Sequence, residues 1–324
     1  MNVTRCSHYV LTVSDLDRSL AFYERVAGLV LTAREGGTAY LRGLEESCHH
    51  SLVLESDPGP PRCRRLGFRV FEDRDLDELA GRLEDLGRSV TWADEPHQGR
   101  TLHCGDPCDV PLEFCATMDT APRKMGDFSS FQGGSAMRID HFQLQYANVP
   151  GGSDFYQALG FRLSEYIGHE GQPPEGVFLQ RKGNPHDMVL FRGPGPRLHH
   201  VAFTTPDVHT LLRACDVAGE LGYGLNVERG PGRHGPGHAL FIYLRDPDGH
   251  RVELFTTHYQ MVDSECEPIR WTPGDLRIAA PWGLPGQASW HLEATEFPGV
   301  PVEVPDGFSP MTLERFLEER GSHK

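Results

Sequence analysis

The eight cysteines (6, 48, 63, 104, 108, 115, 215 and 266) form no CxxC pair, so neither a zinc ribbon nor a disulfide scaffold organises the fold. Cys104-x3-Cys108 is the one spacing that touches zinc chemistry, and buried free thiols account for it more simply. Positive charge is also scarce. Lys and Arg number 31 against 46 Asp and Glu, a formal net charge of −15, which argues against partners built of phosphate backbone or anionic lipid. No uncharged run reaches about 18 apolar residues. The opening MNVTRCSHYV lacks the apolar stretch of a signal peptide. A cytoplasmic protein with reduced thiols, binding neither nucleic acid nor membrane, is the expectation. At roughly 100–200 residues per domain, a chain of 324 residues predicts about two domains, each long enough for its own core.

What is present is repetition, which decides the fold before any local reading. Ser7-His8-Tyr9-Val10-Leu11 recurs as Asp140-His141-Phe142-Gln143-Leu144, and the same offset carries Phe22-Tyr23 onto Phe155-Tyr156. A second pair aligns Gly67-Phe68-Arg69-Val70 with His200-Val201-Ala202-Phe203, each leading into a helical stretch. Asp106-Pro107 and Asp246-Pro247 close those stretches, followed at equal distance by Glu113 and Glu253. The chain is therefore two halves of two modules, each reading strand, helix, then strands.

Ser14-x-x-Asp17 is a candidate capping box for the first helix. Leu16, Leu20, Tyr23 and Ala27 share its inner face, and Gly28 stops it. Leu76, Leu79, Leu83 and Leu86 repeat the pattern before Gly87. The fold class is α+β, four βαβββ modules paired into two half-barrel domains. The expected boundaries are 1–120 for a non-catalytic domain, 121–136 for a linker, 137–260 for a catalytic domain and 261–324 for a tail able to cover the site.

Residues two apart in a strand share a face. Phe142, Leu144 and Tyr146 supply one apolar face and leave His141, Gln143 and Gln145 opposite. Val201 and Phe203 leave His200, Ala202 and Thr204; Val252 and Leu254 leave Arg251, Glu253 and Phe255. Three strands of one half thus offer His141, His200 and Glu253 to a common polar cup. Two imidazoles and one carboxylate are the protein half of an octahedral site with open positions, the facial triad of non-haem Fe(II) oxygenases. The first half carries His8 and Glu113 but, by this alignment, Gly67 in place of the second imidazole. It should hold no metal, with His8 and Glu113 satisfied by hydrogen bonds instead.

Four motifs now resemble a known family: Arg138-Ile139-Asp140-His141-Phe142, Arg197-Leu198-His199-His200-Val201-Ala202-Phe203, Glu228-Arg229-Gly230-Pro231-Gly232-Arg233-His234-Gly235 and Asp246-Pro247-Asp248-Gly249-His250-Arg251-Val252-Glu253. They are similar to the type I extradiol ring-cleaving dioxygenases of the vicinal oxygen chelate superfamily, and in particular to the homoprotocatechuate (3,4-dihydroxyphenylacetate) 2,3-dioxygenases. The resemblance implies Fe(II), or Mn(II) in some relatives, on His141, His200 and Glu253. It implies a catecholic substrate and O2 as partners, and a homo-oligomer, commonly a tetramer. It also implies an acid–base role for His186, a hydrogen bond from His234 to substrate or oxygen, and contact of Tyr243 with the catechol. A turn histidine, a surface histidine and a core tyrosine are the plain alternatives for these three.

The resemblance further implies that Arg229 and a second arginine from the tail grip an arylacetate carboxylate. Ile278 falls at the second position and Arg277 one place off. A one-residue slip restores the contact, whereas a real loss favours a neutral or different substituent. Gln143 stands where close relatives carry Asn. Phe178 and Trp290 are aromatic walls of the pocket or core residues. Two other readings share the scaffold. A glyoxalase or epimerase would draw a fourth ligand from Met188-Val189-Leu190-Phe191-Arg192, which offers none in its centre. A drug-sequestering protein would need no triad.

Overall fold

The computed structural model describes residues 1–310 apart from 264, 280 and 283–285, together with 312, 314, 315, 317 and 318; for 276 and 279 it describes the backbone alone. The end of the expected 261–324 tail therefore lies outside the described residues. The first module is β1 (Val3–Val13), α1 (Leu16–Phe22), β2 (Val30–Glu35), β3 (Thr38–Arg42) and β4 (Leu52–Ser56). The second is β5 (Cys63–Val70), α2 (Asp73–Asp85), β6 (Val90–Asp94), β7 (Arg100–Gly105) and β8 (Pro111–Cys115). The third is β9 (Arg138–Tyr146), α3 (Val149–Ala158), β10 (Arg162–Ile167), β11 (Gly176–Gln180) and β12 (Met188–Arg192). The fourth is β13 (Arg197–Thr204), α4 (Val208–Glu220), β14 (Val227–Arg233), β15 (Leu240–Arg245) and β16 (Arg251–Thr256). A tail adds β17 (Ile269–Trp271), α5 (Leu276–Ala279) and α6 (Ala288–Leu292).

All four modules are βαβββ, as the repeats require. They build two mixed sheets, β2-β3-β4-β1-β5-β8-β7-β6 and β14-β15-β16-β13-β9-β12-β11-β10-β17. In each sheet the opening strands of two modules pair antiparallel at the centre, β1 with β5 and β9 with β13. Among the described residues no helix is long and apolar enough to cross a membrane, and all eight cysteines are free.

The strand alternation assigned the inner faces correctly. Phe142, Leu144, Tyr146, Val201, Phe203, Val252 and Leu254 are buried in one apolar cluster. That cluster also contains Tyr9, Phe68 and Leu76, so the halves share a core instead of holding one each. Phe68 meets Phe142 edge-on at 5.6 Å across the junction. The repeated Asp-Pro turns explain themselves here too. Asp246 accepts the Tyr23 hydroxyl at 3.1 Å from the other half, and Asp106 accepts those of Tyr146 and Tyr156 at 2.8 and 3.3 Å. Each carboxylate also accepts backbone N–H groups of its own turn, so burial is compensated while the halves are latched reciprocally.

The first helix is capped differently from the expectation. Asp15 is its cap, accepting the Arg18 N–H at 3.0 Å. Ser14 lies a residue too early, and its hydroxyl bonds Asp248 in the fourth module instead. The helix relaxes into a π-helical turn over Tyr23–Ala27 and ends at Gly28, where φ is +79°. A Cβ there would lie 2.2 Å from the Gln132 carbonyl oxygen of the connecting segment, so only glycine allows the 121–136 stretch to pass.

Candidate metal centre

Strand register lays the site out as one row. On β9, β13, β16, β15 and β14, His141 pairs with Ala202, Ala202 with Glu253, Glu253 with Tyr243, and Tyr243 with Arg229. His200, two residues before Ala202, shares its face. The small Ala202 at the centre leaves room for the longer side chains around it.

Three ligand atoms converge. Glu253 Oε2 lies 3.2 Å from His141 Nε2 and 3.1 Å from His200 Nε2, and the two Nε2 atoms are 3.3 Å apart. One ion with bond lengths of about 2.1 Å spaces neighbouring ligands by about 3.0 Å in an octahedron and about 3.4 Å in a tetrahedron. The observed triangle has that size. Its ligand set, two imidazoles and a carboxylate, suits a divalent ion with open positions. The other ring nitrogens are held: His141 Nδ1 donates to Asp140 Oδ2 at 3.0 Å, and His200 Nδ1 lies 2.7 Å from His199 Nδ1. Such outer partners aim a ligand and fix its tautomer.

Electrostatics follow from burial and pairing. Burial alone would raise the Glu253 carboxyl, but contacts with His141, His200 and His234 together hold it well below the usual range. Burial pulls His141 down, yet Asp140 and Glu253 together push it up to about 9. At His200 burial prevails over Glu253 and brings the ring to about 4. Asp140 is fully buried, and Lys182 and His141 overcome that burial to keep it ionised.

A cavity of about 370 Å³ opens on the triad. His186 lines it, 8% exposed, with its ring 4.3 Å from that of His141; burial lowers its pKa well below the ordinary value. His234 Nε2 lies 2.7 Å from the Tyr243 hydroxyl and 3.3 Å from Glu253 Oε1. Burial raises Tyr243, so it stays a phenol. Arg229, Gln143, Phe178 and Trp290 also line the cavity. The Arg229 guanidinium rests on Trp290 and Phe241, at 4.5 and 4.9 Å from the ring centroids.

Arg277 does not line the cavity. Its guanidinium is exposed and bonded to both oxygens of Asp275, while Ile278 points inward and packs with Ile167, Phe178, Val189, Phe191 and Trp271. No one-residue slip restores the arginine; the short α5 turns 277 out as it turns 278 in. Val189, Phe191 and Arg192 are the residues of β12 that line the cavity, and none is a carboxylate or an imidazole, so that strand supplies no fourth ligand.

Several contributors escaped the sequence reading. His258 lines the cavity, stacked on Phe255 with ring centroids 5.0 Å apart. It stands past the end of β16, where strand alternation no longer applies. Glu165 ties three segments together, accepting from Gly237 N at 2.7 Å, Tyr259 Oη at 2.8 Å and Trp271 Nε1 at 2.6 Å. Only its burial on β10 marks it, and sequence does not show that.

The first half corrects the repeat alignment. Gly67 pairs with both His8 and Glu113, so its counterpart is Ala202; the counterpart of His200 is Arg65. A Cβ on Gly67 would lie 2.2 Å from the His8 ring, which is why glycine stands there. Arg65 Nε donates to Glu113 Oε2 at 2.7 Å and its Nη2 meets Glu95 Oε2 at 2.9 Å. Glu95, His103 and Glu113 gather within metal-binding reach of one another, but a guanidinium already neutralises the two acids. His8 Nε2 bonds Glu113 Oε1 as expected.

Residues 5–114 and 138–254 both match the glyoxalase/bleomycin resistance protein/dioxygenase superfamily model. A manganese-dependent 2,3-dihydroxybiphenyl 1,2-dioxygenase of Geobacillus genomosp. 3 is 30% identical over 301 residues, covering 86% of this chain and 93% of that enzyme. A metapyrocatechase of Geobacillus stearothermophilus is 25% identical over 311 residues, 91% of this chain and 94% of the relative. The anaerobic substrate complex of homoprotocatechuate 2,3-dioxygenase from Brevibacterium fuscum, with 3,4-dihydroxyphenylacetate, superposes with a TM-score of 0.89 at 34% identity, covering 93% of this chain and 96% of that one. Likeness along nearly the whole length to enzymes of one activity, joined to a ligand triangle of the required size, places the chain among the type I extradiol ring-cleaving dioxygenases of this superfamily.

Proposed function

We propose that this extradiol dioxygenase holds one Fe(II) ion on His141, His200 and Glu253 and opens a catechol whose ring substituent is neutral and apolar. The ligand triangle beside an open cavity is the observation that carries the reaction. Mn(II), on which one relative depends, suits the same ligands. When bound, the ion supplies adjacent positions for the diol and for dioxygen and a path for electrons between them. Both oxygen atoms end in the product, a 2-hydroxymuconic semialdehyde-type compound.

The side chains divide the remaining work. His186 is neutral through burial and stands against His141, so it takes a proton from the diol and returns it during ring cleavage. Tyr243 keeps its proton and, with His234, presents a polar edge to a substrate oxygen. Gln143 and Trp290 border the ring. Phe178, Ile167, Val189 and Ile278 enclose the substituent; of the two arginines on the cavity wall, Arg229 rests on Trp290 and Phe241 and Arg192 donates to the Asp306 main-chain oxygen, while Ile278 stands where a tail arginine would hold a carboxylate. In this reading residues 1–120 are a non-catalytic domain, 137–260 the catalytic domain joined to it through 121–136, and 261–324 a cover. The homotetramer implied by the family belongs to the same reading, and sedimentation velocity tests it.

Anaerobic loading with Fe(II), addition of a catechol panel and then air tests the reaction. Yellow ring-opened product and one O2 consumed per catechol are expected, with alkyl- and aryl-catechols preferred over 3,4-dihydroxyphenylacetate. Ile278→Arg should shift kcat/KM toward the carboxylated substrate by about 10-fold or more, the scale of one hydrogen bond to a charged group. Absence of oxygen uptake across the panel sinks the reaction; preference of the unmodified protein for the carboxylate sinks only the substituent.

A further inference from the structure

The outer nitrogen of the metal ligand His200, its Nδ1, meets another histidine and not a carboxylate or a carbonyl. His199 Nδ1 lies 2.7 Å from His200 Nδ1, and His199 Nε2 lies 2.8 Å from the main-chain oxygen of Trp290 in the tail helix α6. A carbonyl oxygen only accepts, so His199 Nε2 carries a hydrogen. A neutral imidazole has one such hydrogen, which leaves His199 Nδ1 with a lone pair. His200 Nδ1 must then be the donor between the rings, and its Nε2 is left bare toward Glu253 and His141. A second proton on His199 is opposed by its burial, 3% exposed, and by the Arg251 guanidinium bonded to its own carbonyl oxygen at 2.9 Å.

The tail carbonyl is itself held. Arg251 Nη2 donates to the Ser289 oxygen at 3.2 Å and Nη1 to the Glu293 oxygen at 3.1 Å. The Ser289 hydroxyl donates to Glu228 Oε1 at 2.7 Å, and Gln145 Nε2 to the His291 oxygen at 2.7 Å. Four bonds to the catalytic sheet thus seat a short helix so that the Trp290 carbonyl meets His199. Imidazole ordinarily favours hydrogen on Nε2, and that tautomer would turn an N–H toward the ion.

We propose that His199 is a positioning residue which, oriented by the Trp290 carbonyl, locks His200 in the tautomer that binds metal, so that docking of α6 sets the affinity of the centre. The proposal rests on His141, His200 and Glu253 being the ligands. Its consequence is that a segment contributing no ligand controls how tightly the ion is kept.

Nitrogen-15 NMR of the metal-free protein reads the tautomer directly. His200 is expected to show a protonated Nδ1 and an unprotonated Nε2, and His199 the reverse. Mn(II) affinity, followed by the EPR signal of free ion, is expected to weaken 10–100-fold in His199→Phe, the scale seen when such outer partners are lost. His199→Asn keeps an oxygen able to accept the His200 N–H and is expected to bind more tightly than His199→Phe. Hydrogen on His200 Nε2 in the unmodified protein, unchanged affinity in folded His199→Phe, or the reverse order of the two variants overturns the proposal. If His199→Phe does not fold, the spectrum of the unmodified protein still decides. Failure of the unmodified protein to bind Mn(II) at all would instead discredit the ligand assignment.

Discussion

Arg65 occupies the first-half position of the second histidine, and replacing it should turn that half into a metal site. Its Nε stands 2.7 Å from Glu113, with 25% of the side chain exposed against 1% for the carboxylate. A divalent ion on Glu113 would meet this guanidinium at roughly 4 Å, a repulsion of about 8 kcal/mol at an effective dielectric of 20. Solvent screening at a partly exposed side chain leaves about half, ~4 kcal/mol or roughly a thousandfold in affinity. Arg65→His removes that opposition and adds an imidazole beside His8 and Glu113, with Glu95 released as further negative charge. Metal analysis after saturation and dialysis should find two ions per chain instead of one, and added metal should raise the variant's Tm. Arg65→Leu should lose the repulsion without gaining the ligand and stay at one. Gly67→His, the substitution the uncorrected alignment would suggest, should be destabilised without gaining metal, because its Cβ would overlap the His8 ring. A folded Arg65→His protein that still binds a single ion, even at millimolar metal, refutes the reasoning.

Two more outcomes follow from the same geometry. His200→Ala should abolish metal retention, whereas His8→Ala should leave metal content and turnover near normal at a stability cost of about 2–4 kcal/mol for an unpaired buried partner; equal metal loss in both would contradict a site confined to the second half. Metal affinity should also depend on pH. His141 sits at about 9 without metal and must shed its proton to bind, so affinity should fall about tenfold per unit below that value, roughly a hundredfold at pH 7. Glu253 is held well below its ordinary range and His200 lies near 4, so neither adds to the slope between pH 6 and 9. Mn(II) titrations from pH 6.5 to 8.5 should therefore show uptake of one proton on metal loss, and Asp140→Asn should weaken the dependence. A flat profile would exclude a protonated His141.

The parts legible in the sequence were those governed by short-range periodicity. Strand alternation separated Phe142 and Leu144 from His141 and put the triad on one face, and the repeats marked out four modules. Pairing between strands is not periodic information. The bulges in β13, at 198–200 and 202–203, shift register within a motif that looks continuous, and the repeat was aligned two residues out at Gly67 for want of that register. Arg277 and Ile278 could not be separated either, because the facing of a four-residue helix depends on what it docks against. His258 and the Trp290 carbonyl reach the site through tail and loop contacts distant in sequence. A main-chain oxygen has no sequence signature at all.

The ligands lie on opposite sides of the seam between β9 and β13: His141 comes from the third module, His200 and Glu253 from the fourth. A divalent ion held by these ligands would therefore rivet two separately encoded pieces. Neither piece can mature a half-strength centre by itself, and any chain break in the connection at residues 193–196 would leave fragments whose reunion is rewarded by metal capture. Closing the seam and holding an ion would thus stabilise one another, because both draw on the same three side chains.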